Sequence, residues 1–259
     1  GLSAQIKMDS LVSVDVVLTS DKTKWTRCIV VEQSDDNTLS EGGQYKLTMR
    51  NHPSWTGDVD AAGNPVYDAN DIGRSYFPGY AINVETGERL NIIFGEDSWL
   101  MGENGNDMIW NPTSNLFDLD ARFGGKHYIY ISNTTYDEGA AFQQAYLSNM
   151  GSTQNVQTRE VFRTVIWAST AMLAAGHELL PIEEGIVPTE THIRLRVATP
   201  YQRYFTSGGT NNGYPRYQFG TGDLAPDTAN TDVAASALDL IKVVPNPYYA
   251  YSEYERSQL

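Results

Sequence analysis

Cysteine is nearly absent from this chain, which has one, Cys28, among 259 residues. No disulfide can form within the chain, and a chain this long does not need one to build a core. Cys28 opens an apolar run that ends at Val31, and a lone cysteine in such a run is typical of a small buried hydrophobe rather than a nucleophile. No apolar stretch approaches the roughly 20 residues that cross a bilayer, so we expect no membrane insertion.

Basic residues are also few, since 18 Lys and Arg stand against 32 Asp and Glu and give a formal net charge of −14. Such a field repels the phosphates of nucleic acids and of anionic lipids, and it attracts cations. We therefore predict that nucleic acid is not a partner. A simpler interpretation remains open, because acidity also keeps an exposed protein soluble.

Recognisable catalytic spacing is missing as well. The four histidines, His52, His127, His177 and His192, are scattered and form no zinc-binding pattern. The chain contains neither a Gly-x-Ser-x-Gly elbow nor a phosphate-binding loop. A glycoside hydrolase or peptidase fragment remains the enzyme hypothesis, but abundant carboxylates do not by themselves support it. We predict no catalytic residues.

The residues that are present favour a β protein. Aromatics make up 11% of the chain and include 16 Tyr, which suits strands with one apolar and one wet face. Alternating apolar runs predict strands at residues 11–19, 25–32, 44–50, 80–84, 89–94, 126–131 and 191–197. The fold class we predict is mainly β, with β-sandwich-like antiparallel sheets, long loops and at most one or two short helices.

The sequence pattern of several segments has to be weighed between strand, helix and loop. Residues 80–94 predict a β-hairpin around a short Gly-containing turn. Residues 136–149 are ambiguous and could form one short helix with its apolar face inward. Residues 52–79 and 95–120 are rich in turn formers and predict long loops. Residues 159–180 fit a helix period moderately, but we favour a strand up to Trp167, followed by a loop or second strand.

The domain organisation follows from composition. Residues 1–205 predict one β-rich domain. Residues 206–238 are rich in Gly, Ser, Thr, Asn, Asp and Pro, and predict an extended connector. Residues 239–259 predict either the start of a following β-sandwich domain or a closing strand.

Four segments resemble a known class of protein. Residues 243–251, which contain Pro245-Asn246-Pro247, resemble the start of the β-sandwich that precedes the C-terminal sorting domain of type IX secretion cargo. Residues 77–91, 25–28 and 124–130 resemble the uncharacterised β-rich region just upstream in the same cargo. The resemblance implies a secreted, extracellular or cell-surface location and a multidomain parent. It implies no activity.

The strongest candidate metal site lies at residues 57–72. Ca²⁺ takes six to eight oxygen ligands, which alternate carboxylates on a Gly-turned loop can supply. Asp58, Asp60 and Gly63 match positions one, three and six of an EF-hand loop, although Ala62 stands where a carboxylate or amide is expected. The segment also resembles a dockerin calcium loop, and the full predicted ligand set is Asp58, Asp60, Asp68, Asn70 and Asp71. Alternatively, these side chains cap their own turns in a polar loop.

Two further acidic segments could also offer oxygens to a cation. Residues 95–98 and 102–107 contain Glu96, Asp97, Glu103 and Asp107, and their alternative interpretation is a hairpin loop with Asn-Gly at its turn. Asp118 and Asp120 are a third and weaker candidate.

Loop aromatics suggest a carbohydrate-binding surface, because rings can stack on sugars. The candidates are Trp55, Tyr76, Trp99 and Trp110. Such rings can equally plug the ends of a β-sandwich. Short patterns suggest N-glycosylation at Asn133, and O-glycosylation at Ser10 and Thr228 resembles the signal of exported proteins of the same bacteria.

Two functions compete. The first is a non-catalytic structural or interaction module of a secreted bacterial cell-surface protein, with Ca²⁺ as a stabilising ion and with neighbouring domains or other surface proteins as partners. The alternative is a carbohydrate-binding module of a secreted hydrolase, with a polysaccharide as the partner.

Overall fold

The structure, a computed structural model, describes residues 11–38, 40, 44–100, 104–112, 126–171, 173, 177–197, 219–221, 231 and 235. The chain divides into two compact units, residues 1–215 and 216–259. All the strands and α-helices given below lie in the first unit. The predicted connector at 206–238 is described only at five positions, and residues 239–259 fall outside the described part.

The first unit is mainly β, as predicted. Its described strands are β1 Val14–Leu18, β2 Thr26–Glu32, β3 Pro53–Val59, β4 Pro65–Ile72, β5 Arg74–Phe77, β6 Gly79–Asn83, β7 Arg89–Glu96, β8 Ile129–Thr135, β9 Val165–Ser169 and β10 Thr191–Leu195. The described α-helices are α1 Ala140–Ser148 and α2 Gln154–Phe162. Short 3₁₀ turns lie at Lys22–Lys24, Ser98–Leu100 and Ile182–Glu184.

Strand β7 is the centre of the main sheet. The order is β10-β1-β6-β7-β2-β5, and β8 pairs with the other edge of β7 and with β9. The start of β7 pairs with β6, whereas its end pairs with β2. The β2–β7 pair is parallel, unlike the antiparallel pairing predicted throughout, and the other pairs of this sheet are antiparallel. Strands β3 and β4 form a separate two-stranded hairpin.

Both faces of β2 and β7 are buried, which explains their nearly continuous apolar sequences. Cys28 and Val30 face one hydrophobic cluster, where Ile92 and Phe94 of β7 join them. The alternate residues of the two strands face a second hydrophobic cluster on the other side of the sheet. Its members are Ile29, Val31, Met49, Ile93, Phe142, Tyr146, Val161 and Phe162. The second cluster lies under the two helices, so the helices cover the sheet on one side.

Helix α1 confirms the prediction of a short helix in residues 136–149. It follows Gly139, which has a positive φ of 70°. Phe142 and Tyr146 are spaced by one helical turn and are buried against the sheet. The Tyr146 hydroxyl donates to the Leu47 carbonyl at 2.5 Å and ties the helix to the segment before β3.

Three local predictions are wrong. Residues 44–50 form no strand: Leu47 has a positive φ of 67°, and Met49 alone makes a bridge, to Val31. The predicted loop at 52–79 contains β3, β4 and β5. The strand predicted up to Trp167 is interrupted, because α2 extends to Phe162 before β9 begins.

The hairpin at 80–94 is confirmed as β6 and β7, and the alternating run at 191–197 is confirmed as β10. The strand expected at 126–131 begins later and extends further, as β8. Of the loop predicted at 95–120, residues 104–112 form a series of turns.

Candidate functional site

Two glutamates meet where β2 and β7 end. The parallel register places Ile29 beside Ile93 and Glu32 beside Glu96. Because side chains alternate along a strand, both glutamates point to the same face as Val30 and Phe94. The register therefore brings two carboxylates, 64 positions apart in sequence, to one end of the core.

The cation between them is Arg50. Its Nη1 lies 3.4 Å from Glu32 Oε2, and its Nε lies 3.3 Å from Glu96 Oε2. Arg50 also donates to the Gly105 carbonyl at 3.1 Å and to the Asn106 side chain. All three charged side chains have zero solvent exposure. A buried charge is tolerated only when paired and hydrogen-bonded, so this triad ties the two strands to the 104–112 turns.

Glu32 is held from both sides of its carboxylate. Oε1 accepts from the backbone amides of Ser34 at 2.8 Å and Ser98 at 3.0 Å. Oε2 accepts from the Ser98 hydroxyl at 2.5 Å. The Glu32 carboxylate is therefore held in place by the fold and is not exposed to a substrate.

Glu96 has a different electrostatic position. Burial raises its pKa well above the ordinary value, the Arg50 guanidinium opposes that rise, and nearby Asp107 adds to it. The Ile109 amide donates to both Glu96 Oε1, at 3.1 Å, and Asp107 Oδ1, at 2.9 Å. Arg50 therefore contacts two buried carboxyl groups, and burial disfavours the charged form of Glu96.

A second pair lies next to this triad. Asp97 is fully buried, and its Oδ2 is 2.5 Å from Lys126 Nζ. Asp97 Oδ1 accepts from the Trp99 amide at 3.0 Å. Glu96 and Asp97, two of the acids in the weaker candidate cation loop, are thus both partnered by basic side chains. Asp118 and Asp120 lie outside the described residues.

The predicted calcium segment forms the β3–β4 hairpin and its turn. Asp60 Oδ1 accepts from the amides of Ala62 at 2.8 Å and Asn64 at 2.9 Å. These hydrogen bonds to Asn64 and Ala62 lower the pKa of Asp60. Asp68 Oδ1 accepts from the Asn70 amide at 2.9 Å in the same manner. Asp60 and Asp68 therefore each cap a turn of their own segment.

The five predicted ligands are distributed along this hairpin. Asp58 and Asp60 lie at the turn, whereas Asp71 lies at the opposite end, a rise of about 20 Å along the strand at roughly 3.3 Å per residue. Across the described residues, no three His, Cys, Asp or Glu side chains are arranged to hold a metal ion. Calcium binding by the predicted set of five ligands remains a prediction.

Asp71 belongs to a different cluster. Its Oδ2 lies 3.1 Å from Arg27 Nη2 and 3.0 Å from Arg74 Nε, and Gln143 Nε2 donates to its Oδ1 at 2.6 Å. Burial alone would raise the pKa of Asp71, but the Arg74 and Gln143 hydrogen bonds outweigh it and lower the pKa to about 2. Asp71 therefore joins β2, β5 and helix α1.

The predicted sugar-stacking aromatics divide into two groups. Trp55 and Trp110 belong to the core with 0% and 3% exposure, and their indole nitrogens donate to Asp58 and His127 carbonyls. Buried rings cannot stack on a sugar, so these two tryptophans serve as packed core residues. Tyr76 is half-buried, packs edge-on against Trp55 and lies under the Arg27 guanidinium. Trp99 is 45% exposed.

The predicted glycosylation sites and Cys28 differ in their exposure. Asn133 is exposed within β8, so its side chain is accessible for modification. Ser10 and Thr228 lie outside the described residues. Cys28 is fully buried, and burial raises the pKa of its thiol to about 12, as suits a core residue.

A groove of about 530 Å³ lies between the β3–β4 hairpin and the segment at 179–186. Its floor includes Ile109, Leu179 and Ile186, and its rim includes Asp107 and Glu183. We call it the acidic groove. A second cavity, of about 370 Å³, is mostly apolar, with a lining that includes Leu18, Trp110, Val187 and Ile193. His177 and three threonines also line this apolar cavity.

No helix within the described ranges is both long and apolar enough to cross a membrane. No protein-family model matches the chain, and neither a curated protein nor a solved structure matches it.

Proposed function

We propose that this chain is a non-catalytic structural or interaction module of a secreted bacterial cell-surface protein. The observation that carries the proposal is the complete burial of its converging carboxylates. Glu32 and Glu96 are enclosed and paired with Arg50. A glycosidase needs two carboxylates that face its substrate, whereas these two face a guanidinium inside the protein.

The two cavities support the same function. The described lining of the acidic groove includes no serine, threonine, cysteine or histidine, whereas that of the apolar cavity includes His177 and three threonines beside its aliphatic residues. The apolar cavity has no acidic residue in that lining, and the acidic groove has Asp107 and Glu183. Such surfaces suit binding better than covalent chemistry.

The location part of the proposal has its own support. Residues 77–91 and 243–251 resemble secreted cargo, and a net charge of −14 suits an exposed, soluble surface protein. Protease treatment of intact source cells should remove the region from the cell surface. Protection until the envelope is broken would contradict a surface location.

The non-catalytic part is tested with the purified chain on chromogenic aryl glycosides and a fluorogenic peptide library. We expect no turnover above that of buffer. Turnover that Asp107→Asn abolishes, while the melting temperature is unchanged, would overturn the proposal. Loss of turnover through unfolding would instead lower the melting temperature.

Calcium is tested by thermal unfolding with millimolar Ca²⁺ and then with chelator. An ion that binds the native state raises the melting temperature by mass action. We expect Asp58→Ala combined with Asp60→Ala to abolish that rise, and Glu88→Ala, an exposed acid of the β6–β7 turn, to leave it intact. An identical melting temperature in both conditions would contradict calcium binding.

The carbohydrate-binding alternative has less support. It needs exposed rings, yet Trp55 and Trp110 lie in the core and Trp99 is the ring of the predicted four that stands clearly exposed. Glycan-array binding lost in Trp99→Ala would favour this alternative.

A further inference from the structure

The acidic groove combines two surfaces of different chemistry. Ile109 and Ile186 at its floor are 3% and 2% exposed, so they form a fixed aliphatic base. Leu179 and Ile182, which are partly buried, continue the aliphatic surface toward the rim. A volume of about 530 Å³ is within the range of small-ligand pockets.

The rim carries negative charge that no basic residue of the groove neutralises. Asp107 Oδ1 accepts from the Ile109 amide at 2.9 Å, and Oδ2 accepts from Asn111 Nδ2 at 2.7 Å. These bonds fix the carboxylate without cancelling its charge. Glu183 also lines the groove and is exposed. The described lining of the groove contains no Lys or Arg.

Among the described residues that line the groove, Tyr67 is the one aromatic side chain. Its hydroxyl donates to the Asp107 carbonyl at 2.8 Å, and its ring packs edge-on with His52 at 4.9 Å between centroids. A stacking platform for a sugar would need a broad aromatic face, and the floor is aliphatic instead. An aliphatic floor with an acidic rim complements a side chain that has a methylene stem and a cationic head.

We propose that the acidic groove binds a lysine or arginine side chain presented by a partner protein. The methylene stem lies on Ile109, Ile186 and Leu179, and the cation reaches Asp107 and Glu183. The inference rests on the proposed function as an interaction module and specifies the chemistry of the partner. The net charge of −14 favours approach of such a partner at long range.

The test is an NMR titration of the isotope-labelled full chain with Nα-acetyl-lysine methylamide. We expect amide shifts confined to residues 63–67, 107–111 and 179–186, which contain the lining of the groove. Nα-acetyl-norleucine methylamide shares most of the stem and lacks the charge, and it should bind at least several-fold more weakly. Equal binding by the two compounds would overturn the charged part of the proposal.

Variants separate a site from general attraction to an acidic protein. Glu183→Gln should weaken binding about two- to five-fold, the range for one exposed charge pair. Glu88→Gln removes the same charge from the β6–β7 turn and should change nothing. Equal weakening by the two substitutions, or shifts spread over the whole acidic surface, would overturn the proposal. Shifts of the groove amides with a neutral oligosaccharide but not with lysine would overturn it in favour of a glycan.

The titration is independent of the activity assays. Failure of lysine to bind, with no turnover on any substrate, removes the groove proposal and leaves the module proposal standing. Turnover on a substrate would overturn the proposal of a non-catalytic module, whether or not the lysine compound binds.

Discussion

Replacing Arg50 with methionine removes the cation that lies between Glu32 and Glu96. Methionine keeps much of the aliphatic stem, so the packing change is small compared with the electrostatic one. Glu32 and Glu96 then share a site with zero solvent exposure and no counter-charge. Breaking a buried pair by removing one partner costs about 3–5 kcal/mol, because the remaining charge stays buried.

That cost is large for a domain whose stability is expected to be about 5–15 kcal/mol. For a unit of this size it corresponds to a melting temperature lower by about 6–20 °C. Urea unfolding followed by tryptophan fluorescence should show the midpoint falling while the slope with denaturant stays constant. The five tryptophans include buried Trp55 and Trp110, which report on the core.

The matched control is Lys46→Met, which breaks the exposed Lys46–Asp35 pair at 2.8 Å. Surface pairs contribute about 0–1 kcal/mol, so its unfolding midpoint should hardly move. Adding Glu32→Gln and Glu96→Gln to Arg50→Met should recover part of the loss, since no buried charge then remains unpaired. A loss below about 1 kcal/mol for Arg50→Met would refute the reasoning that the triad holds the strands to the 104–112 turns.

Three other predictions use single sites. Burial raises the pKa of Glu96, so stability is lost as pH rises through the folded pKa. In Glu96→Gln the urea midpoint should therefore depend less on pH between 5 and 9 than it does in the unmodified chain. An unchanged dependence on pH would contradict this. Gly185 has a φ of +95°, and an added Cβ would overlap the Ser20 carbonyl. Gly87 also has a positive φ, +74°, but has open space around it, so Gly87→Ala should lower the free energy of unfolding by roughly 1–2 kcal/mol. Gly185→Ala should lower it by more, as urea unfolding would show. The Cys28 thiol has a pKa of about 12 and is buried, so iodoacetamide should label it only above the unfolding midpoint, and rapid native labelling would count against the core placement.

Local pattern was enough for some elements and not for others. Strands β6 and β7 were predictable because their hairpin is closed by a short turn and needs no distant partner. Strands β3 to β5 were missed because Gly57, Gly63 and Gly73, all with positive φ, made the segment look like a loop. In the structure these glycines permit a bulged hairpin and tight connections between strands.

The charged triad could not be predicted from local spacing. The alternating pattern of residues 44–50 predicts a strand that includes Arg50, whereas the segment forms no strand and the Arg50 side chain is buried. One signal was present: β2 and β7 each end an apolar run with a glutamate, and parallel pairing sets Glu32 beside Glu96. Using that signal required knowing that the two strands are parallel, which only the three-dimensional fold specifies.

The pairing of β1 with β10 has a consequence for the order in which the domain can fold. Val14 pairs with Leu195, and Leu18 pairs with Thr191. This strand pair therefore links the two ends of the described part of the first unit. A growing chain can pair β1 with β6 early, but the outer edge of β1 stays open until residue 195 is available. Contacts this distant in sequence slow folding, and an open edge can recruit another strand. Fragments that stop before residue 191 should therefore self-associate more than the full unit. In the full unit the exposed edge of the sheet is β10, and its exposed His192 and Arg194 disfavour pairing with another strand.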